Sequence, residues 1–498
     1  MGYSSLRHMK GKYILLLVLI ILLGSFLRFY KLVDESFWQD EGATGLAVRK
    51  YTPMQMLDDI KVHGQILPGY YGYDDDLPLY YILVRGWTNI FGLSDFSLRA
   101  FSAFLGSLAL LCIFYLAKYL FDEKVALAAT FLSSINMTLI LYSQEARQYS
   151  YLFFLSMLSV IFLLKSLKED KIRHIAGFLI VSIFIIFTHF PWVMFITFEG
   201  AYVLYVMYQD HSRKKKLHLG VIAAFFIIGL LYLTIIGNAL NSTTDTVTLY
   251  GRPNFRQFAE FGLRLSTWIY PSESMRQKIY DTSFNFSLLE WALLVSVLLT
   301  ALLIGVMFLV GIKNSFYKKE SAIFMLFMIF VPLLFALALS FIHPKFNVFH
   351  IKQMIYFIPI YLIFASVAII KSKRRVWLMA IVIVLSILPL YAYYTNVQNQ
   401  QFREAAEFLP KGQPIFVNAP GAQVALRYYY GEKDNVVAVR NLAELKDYLK
   451  NIDSFWMFLT FTKYSDPENT IKTYLSQHYQ LIEKKEFFDI ELLRYKTR

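Results

Sequence analysis

The chain has 498 residues, 57% hydrophobic and only 17% charged, with a net charge of +13. A charged fraction well under the roughly 25% of a soluble domain excludes an ordinary soluble enzyme and asks for a membrane. The single cysteine, Cys112, lies in an apolar run, so no internal disulfide is available.

Apolar runs long enough to cross a bilayer, roughly 17 to 25 residues, fall near 12–30, 98–120, 125–142, 148–165, 174–190, 191–208, 217–236, 287–312, 321–341, 354–370 and 376–394. The expected fold is therefore a polytopic α-helical membrane protein with about eleven spans. The first run has the basic flank of a signal peptide (Arg7, Lys10, Lys12), but no small-residue cleavage site follows, so it reads as an uncleaved span.

With the N-terminus cytoplasmic, alternate connections carry Lys118 and Lys124; Lys165, Lys168, Lys171 and Arg173; Arg213 to Lys216; Lys313, Lys318 and Lys319; and Lys371, Lys373, Arg374 and Arg375. All are short and basic, as the positive-inside rule requires. This distribution accounts for the net charge without nucleic acid. It makes the chain an integral membrane protein, expected in the plasma (inner) membrane, with its long connections and C-terminal tail on the outer side, whether periplasmic, extracellular or luminal.

The first of those long connections, about residues 31–97, opens with ESFWQDEG, which sets Asp40 beside Glu41 just beyond a span. A carboxylate pair there either solvates a loop or supplies a base at the membrane surface. Ala43 to Ile60 suits short interfacial helices, with Pro53 opening the second. A bend rich in glycine and proline leads to Asp74, Asp75 and Asp76. The run LPLYYILVRGWTNIFG then places Tyr80, Tyr81 and Trp87 at an interface.

The order of a DE pair after the first span, PLYY, SLRAFSAFLG (Ser97 to Gly106) and YSQEARQYS (Tyr142 to Ser150) resembles the bacterial and archaeal relatives of the protein O-mannosyltransferases. These are glycosyltransferases of the GT-C superfamily that take a sugar from a polyprenyl-phosphate donor. The resemblance is best over roughly the first 210 residues. It implies a polyprenyl-phosphate-sugar donor, an acceptor that is a protein, lipid or glycan, and Asp40 as the base that takes the acceptor's proton, with Glu41 its neighbour. Glu145 becomes a second site acid and Arg147 an orienting or phosphate-facing group. Asp76 stands where the family carries histidine before PLYY, so Asp76 and Tyr80 join the substrate-binding candidates.

Each candidate also has a plain structural reading. Glu145 and Arg147 could form an interfacial ion pair or a cap. His189, in THFPW, could be a structural hydrogen-bonder. The segment HPKFNVFHIKQMIY brings His343, Lys345, His350 and Lys352, and there Lys352 stands with Gln353 where the family often shows Arg-Tyr. It can serve a phosphate as a point charge or snorkel at a span end. The 237–286 connection brings Arg252, Arg256, Arg264, Arg276 and Lys278 to the same side, so anion binding is a job open to some of them. No cofactor is required, although Asp74 to Asp76 could hold one divalent cation with waters. Asn241-Ser242-Thr243 and Asn285-Phe286-Ser287 are acceptor sequons.

From about Asn396 the chain turns soluble. Helices are expected at 401–409, 422–430, 442–449 and after Asp466-Pro467, with strands at 414–418, 436–439 and 455–461, a small α/β domain over 396–498. The alternative to an enzyme is a transporter or flippase of a lipid-linked sugar. That reading asks for internal repeats or mid-membrane charges. A scaffold would leave the clustered acids unexplained.

Overall fold

The computed structural model describes all residues except 1–8, 64–76, 170, 210–214, 242–252, 269, 271–272, 281–282, 284, 343–348 and 432–433. In chain order the helices are α1 (Gly11–Phe29), α2 (Gln39–Lys50), α3 (Pro53–His63), α4 (Leu79–Phe91), α5 (Asp95–Leu120), α6 (Glu123–Ser134), α7 (Met137–Gln144), α8 (Tyr149–Lys168), α9 (Ile172–Ile186), α10 (Val193–Gln209) and α11 (Lys215–Asn241). They continue as α12 (Phe255–Ser266), α13 (Glu273–Tyr280), α14 (Leu288–Ser315), α15 (Lys319–Ile342), α16 (Phe357–Lys371) and α17 (Arg375–Thr395). The tail follows as α18 (Phe402–Phe408), β1 (Ile415–Val417), α19 (Ala422–Tyr430), β2 (Val436–Ala438), α20 (Leu442–Leu449), β3 (Ser454–Thr460), α21 (Thr462–Ser465), α22 (Thr470–His478), β4 (Tyr479–Phe487) and β5 (Ile490–Thr497).

The chain forms two compact units, one of residues 1–32 and 99–396, the other of residues 33–98 and 397–498. Every apolar run of the first unit carries helix. Among the described residues, five stretches are long and apolar enough to cross a membrane, or six if the bent pair α6–α7 counts as one span. One of the five, Leu288–Ile342, is α14 and α15 joined by a 3-10 turn at Phe316–Lys318. The expected eleven therefore exceeds what length and apolarity establish, because α9 and α16 are only 15 residues each.

Local chemistry explains the breaks. The Asp122 carboxylate accepts the Lys124 and Val125 N–H groups and starts α6. After a 57° bend, Asn136 accepts the Leu139 N–H and starts α7. Asn136 also donates to the Ser266 carbonyl at 3.0 Å and so ties this bend to the end of α12. Gly311 lets α14 meet the Phe364 backbone of α16, where any Cβ would collide. Outward-facing Leu302 (64% exposed) and Val384 (66%) mark the lipid face of such helices.

The basic residues singled out by the sequence gather at one end of this unit. Lys318 donates to the Phe121 carbonyl, Lys371 donates to the Asn314 carbonyl at 2.7 Å, and Lys118 pairs with Glu123 at 3.1 Å. Lys165 and Lys168 lie over Tyr115 and Tyr119 near the C-terminal end of α5.

The second unit carries a five-stranded sheet in the order β2-β1-β3-β5-β4. β1 is parallel to β2 and β3, and the β4–β5 hairpin is antiparallel. One apolar layer, with Phe402, Leu426, Trp456 and Phe458, covers one face; Leu445, Met457, Ile471 and Leu475 cover the other. The last helix starts three residues later than expected, because the Asp466 carboxylate accepts from the Thr470 and Ile471 N–H groups.

The first outer loop packs onto this domain. Gly42 and Gly45 bring α2 against Ala425 and Tyr428 of α19, too close for a Cβ at either position. The Arg49 guanidinium lies 4.3 Å from the Tyr428 ring and donates to its carbonyl at 2.7 Å. Asp95 accepts both the Tyr428 and Tyr429 hydroxyls at 3.0 and 2.9 Å. Burial, and then Asp95, hold the Tyr428 hydroxyl above its ordinary pKa, so it stays a donor.

Candidate active site

Asp40 and Glu41 occupy the first turn of α2. That is where a helix best accommodates carboxylates, because its unsatisfied N–H groups point there. Asp40 is half-buried and Glu41 fully buried. In the same unit Tyr80 is also fully buried, with its ring edge-on to Tyr81 at 5.7 Å. Asp76 lies outside the described residues, as do Asp74, Asp75, Arg252, His343 and Lys345.

The other expected residues belong to the helical unit. Glu145 ends α7 and Gln148 precedes α8, so YSQEARQYS is a tight corner between helices. Arg147 is 4% exposed, and its carbonyl is held by the Ser102 hydroxyl at 3.1 Å. Gln144 anchors the corner to the end of α1 by donating to the Tyr30 carbonyl at 2.8 Å, and it accepts from the Tyr393 hydroxyl. The His189 Nε2–H donates to Gln353 Oε1 at 2.7 Å, so the residue beside Lys352 spends its side chain on His189.

Lys352 itself faces the Tyr149 ring with Nζ 5.8 Å from the centroid. Tyr149 meets Tyr142 at 5.2 Å, Tyr142 meets Trp268 at 6.4 Å, and the Arg264 guanidinium lies 4.4 Å from the Trp268 ring. The result is a continuous aromatic path with a cation at each end. Arg264 is 9% exposed and reaches Glu260 only at 3.6 Å.

His350 sits among these cations. Its Nδ1 accepts the Lys352 backbone N–H at 3.3 Å. Burial, followed by Arg264 and Lys352, holds its pKa well below the usual histidine value. A neutral imidazole adds no positive charge of its own beside the two cations. Such a place suits a phosphate.

Over residues 75–232 the chain matches the family described as dolichyl-phosphate-mannose-protein mannosyltransferase. The match includes PLYY and YSQEARQYS but begins after Asp40 and Glu41. No curated protein matches the sequence. Among solved structures, ArnT from Cupriavidus metallidurans in the apo state aligns with 97% of this chain and 98% of its own, at 12% identity and TM-score 0.56. The same protein bound to undecaprenyl phosphate gives 98% of each chain, 11% identity and TM-score 0.54. The oligosaccharyltransferase of Archaeoglobus fulgidus in its apo form aligns with 92% of this chain and 71% of its own, at 12% identity and TM-score 0.56. The chain has the GT-C fold.

Within that fold the sequence named Arg264 and His350 only as members of basic stretches, and it passed over Trp268. Its one signal is sequence-local: Arg264 lies in the last turn of the strongly amphipathic α12, and Trp268 follows just after the helix ends. Among the described residues no group of three or more His, Cys, Asp or Glu side chains could hold a metal. An open depression of about 780 Å³ on the sheet, lined by Lys472, Lys484 and Glu491 among others, contains none of the expected site residues.

Proposed function

We propose that this protein is a membrane glycosyltransferase that moves a sugar from a polyprenyl-phosphate-linked donor to an acceptor hydroxyl on the extracytoplasmic face. The observation that carries the reading is the pair of cations, Lys352 and Arg264, joined by aromatic rings around a neutral His350 in a GT-C fold. ArnT is known with undecaprenyl phosphate bound, and the Archaeoglobus AglB with dolichol-phosphate. For this chain the cations would meet the charge that develops on the leaving phosphate.

Asp40 is the general base. It takes the proton of the acceptor hydroxyl as that oxygen bonds the anomeric carbon. The bond from that carbon to the phosphate oxygen breaks, and the electron pair leaves with polyprenyl phosphate. Glu41 and Glu145 are the further catalytic acids of this reading. Arg147, His189, Tyr80 and Asp76 bind or orient substrate. Residues 1–395 form the catalytic portion, and 396–498 an extracytoplasmic domain on which the Asp40 helix packs.

Donor consumption by membranes carrying the wild type or Asp40→Asn, across a panel of polyprenyl-phosphate sugars, tests this. A base contributes about 10²–10⁴-fold, so the variant should lose that much rate while folding normally. Equal consumption would remove Asp40 from the role and pass it to Glu41, Asp76 or Glu145. One observation favours transport instead: Glu199 of α10 is fully buried, with the Ser159 hydroxyl on one oxygen at 2.7 Å. Movement of intact donor across vesicles with no consumption would select that reading.

A further inference from the structure

The helical unit contains a basic cavity apart from the Lys352–Arg264 cluster. It measures about 460 Å³ and is lined by Tyr115, Lys165, Glu169, Lys171, Arg173 and His174. It lies where the end of α8 turns into α9. Tyr149, which faces Lys352, starts α8, and Lys165 lies in its last turn. A helix of that length is about 30 Å long, so the two sites stand at opposite ends of the bundle.

Among the described residues three cations line this cavity against one carboxylate. Lys171 and His174 share that carboxylate, with Glu169 Oε2 at 2.7 and 3.1 Å. Among the described residues neither Lys165 nor Arg173 has a carboxylate partner, and Lys165 instead faces the Tyr115 ring at 4.7 Å. His174 is only 5% exposed, yet its Nδ1 finds no hydrogen-bond partner. A buried ring nitrogen left this way costs stability unless a ligand meets it. The first turn of α9 opens here too. Its N-cap, Lys171, makes no side-chain cap, and its carbonyl already takes the His174 N–H at 3.0 Å, so the Ile172 and Arg173 N–H groups lead the helix at this end.

We infer that this cavity binds a phosphate group, supplied by the headgroup of an anionic lipid. Cations and the leading N–H groups of α9 are the donors that a phosphate monoester or diester requires, with the His174 ring beside them, and the volume suits a headgroup. The apolar remainder has somewhere to lie: along α9, Ile172 is 79% exposed and Ile180 54%. Basic pockets between spans at the positively charged membrane face are where lipid phosphates are recognised. This inference does not depend on the proposed transferase activity.

The test is native mass spectrometry of the full chain in mild detergent, offered phosphatidylglycerol or phosphatidylcholine. The wild type should retain phosphatidylglycerol in preference. Lys165→Gln with Arg173→Gln should lower that retention about tenfold, or ~1.4 kcal/mol. Lys168→Gln, which removes an exposed cation stacked on Tyr119 outside the cavity, should leave it unchanged. Inorganic phosphate is the second arm. If it alone raises the melting temperature of delipidated wild type but not of the double variant, the phosphate site stands and its source is a soluble anion. Equal retention of the two lipids, or an equal loss in Lys168→Gln, overturns the inference.

Discussion

Lys472 of α22 and Lys484 of β4 close on Glu491 at 2.7 and 2.9 Å, whereas Lys352 and Arg264 in the helical unit converge on a histidine kept neutral by burial and by the cations themselves. Both clusters place two cations close together. In the sheet an acid belonging to the chain neutralises the pair, and the cluster is complete. In the helical unit aromatic faces flank the cations, and Glu260 reaches Arg264 only at 3.6 Å. The number of basic residues is thus a poor guide to anion binding. What stands opposite them decides.

Removing a cation from the open cluster should have the larger effect. Lys352→Gln would lose one charge-assisted contact to the donor phosphate, about 1.5–3 kcal/mol, so the KM for donor should rise about ten- to a hundred-fold. Lys352→Arg should recover part of the loss, because a charge is restored at a changed geometry. An unchanged donor KM in Lys352→Gln would mean that the lysine serves only its contact with Tyr149, and the comparison would fail at its main point.

The histidine gives a second, smaller test with a definite sign. The folded pKa of His350 lies below its ordinary value of 6.5, so the unfolded chain takes up this proton first as pH falls. The contribution is fully present above 6.5 and is lost as pH drops from there toward the lowered folded value. The melting temperature should therefore fall between neutral pH and pH 5 by more in the wild type than in His350→Gln. Bound polyprenyl phosphate should reduce the wild-type loss, since an anion beside the ring favours its protonation. Identical pH profiles for the two proteins would show that the ring does not feel Arg264 and Lys352.

How far the sequence could foresee this contrast depends on the range of the forces involved. Helix-length apolar runs and the tail's alternation are local, and α2, α3, α19 and α20 appear within a few residues of where they were expected. The end of α7 at Glu145 was legible for the same reason. The close contact of Gly42 with Ala425 joins residues far apart in the chain, and no local pattern announces it. The β4–β5 hairpin was missed because its strands mix Lys, Glu and Phe without clean alternation, and because Asp489 turns the corner at φ 54°. Arg28 was missed as well. It sits inside an apolar helix, fully buried, and gives its guanidinium to the Gly24, Ser133 and Ser134 carbonyls. Within the site, Lys352 was legible as an oddity in its segment. Arg264 was one basic residue among several until folding set it against Trp268.

The sheet cluster offers the smallest effect and a direct way to turn one kind of site into the other. Burial alone would raise the Glu491 pKa, but hydrogen bonds from Lys472 and Lys484 and their charges outweigh it and hold the carboxyl below its ordinary value. Its contribution is therefore present above the ordinary carboxylate pKa and is lost as pH falls through the lowered folded one. Because the pairs are partly exposed, Glu491→Gln should cost less than about 1 kcal/mol at neutral pH, a small drop in melting temperature. Lys484 also pairs with Glu486 at 2.5 Å, so leaving the two lysines without an acid takes Glu491→Gln together with Glu486→Gln. Inorganic phosphate should then raise the melting temperature of this double variant more than that of the wild type, and added salt should erase the difference through screening. If phosphate leaves both proteins alike, removing an internal acid is not enough to make an anion site. The aromatic rings and the neutral histidine of the helical unit would then be contributing more than uncompensated charge.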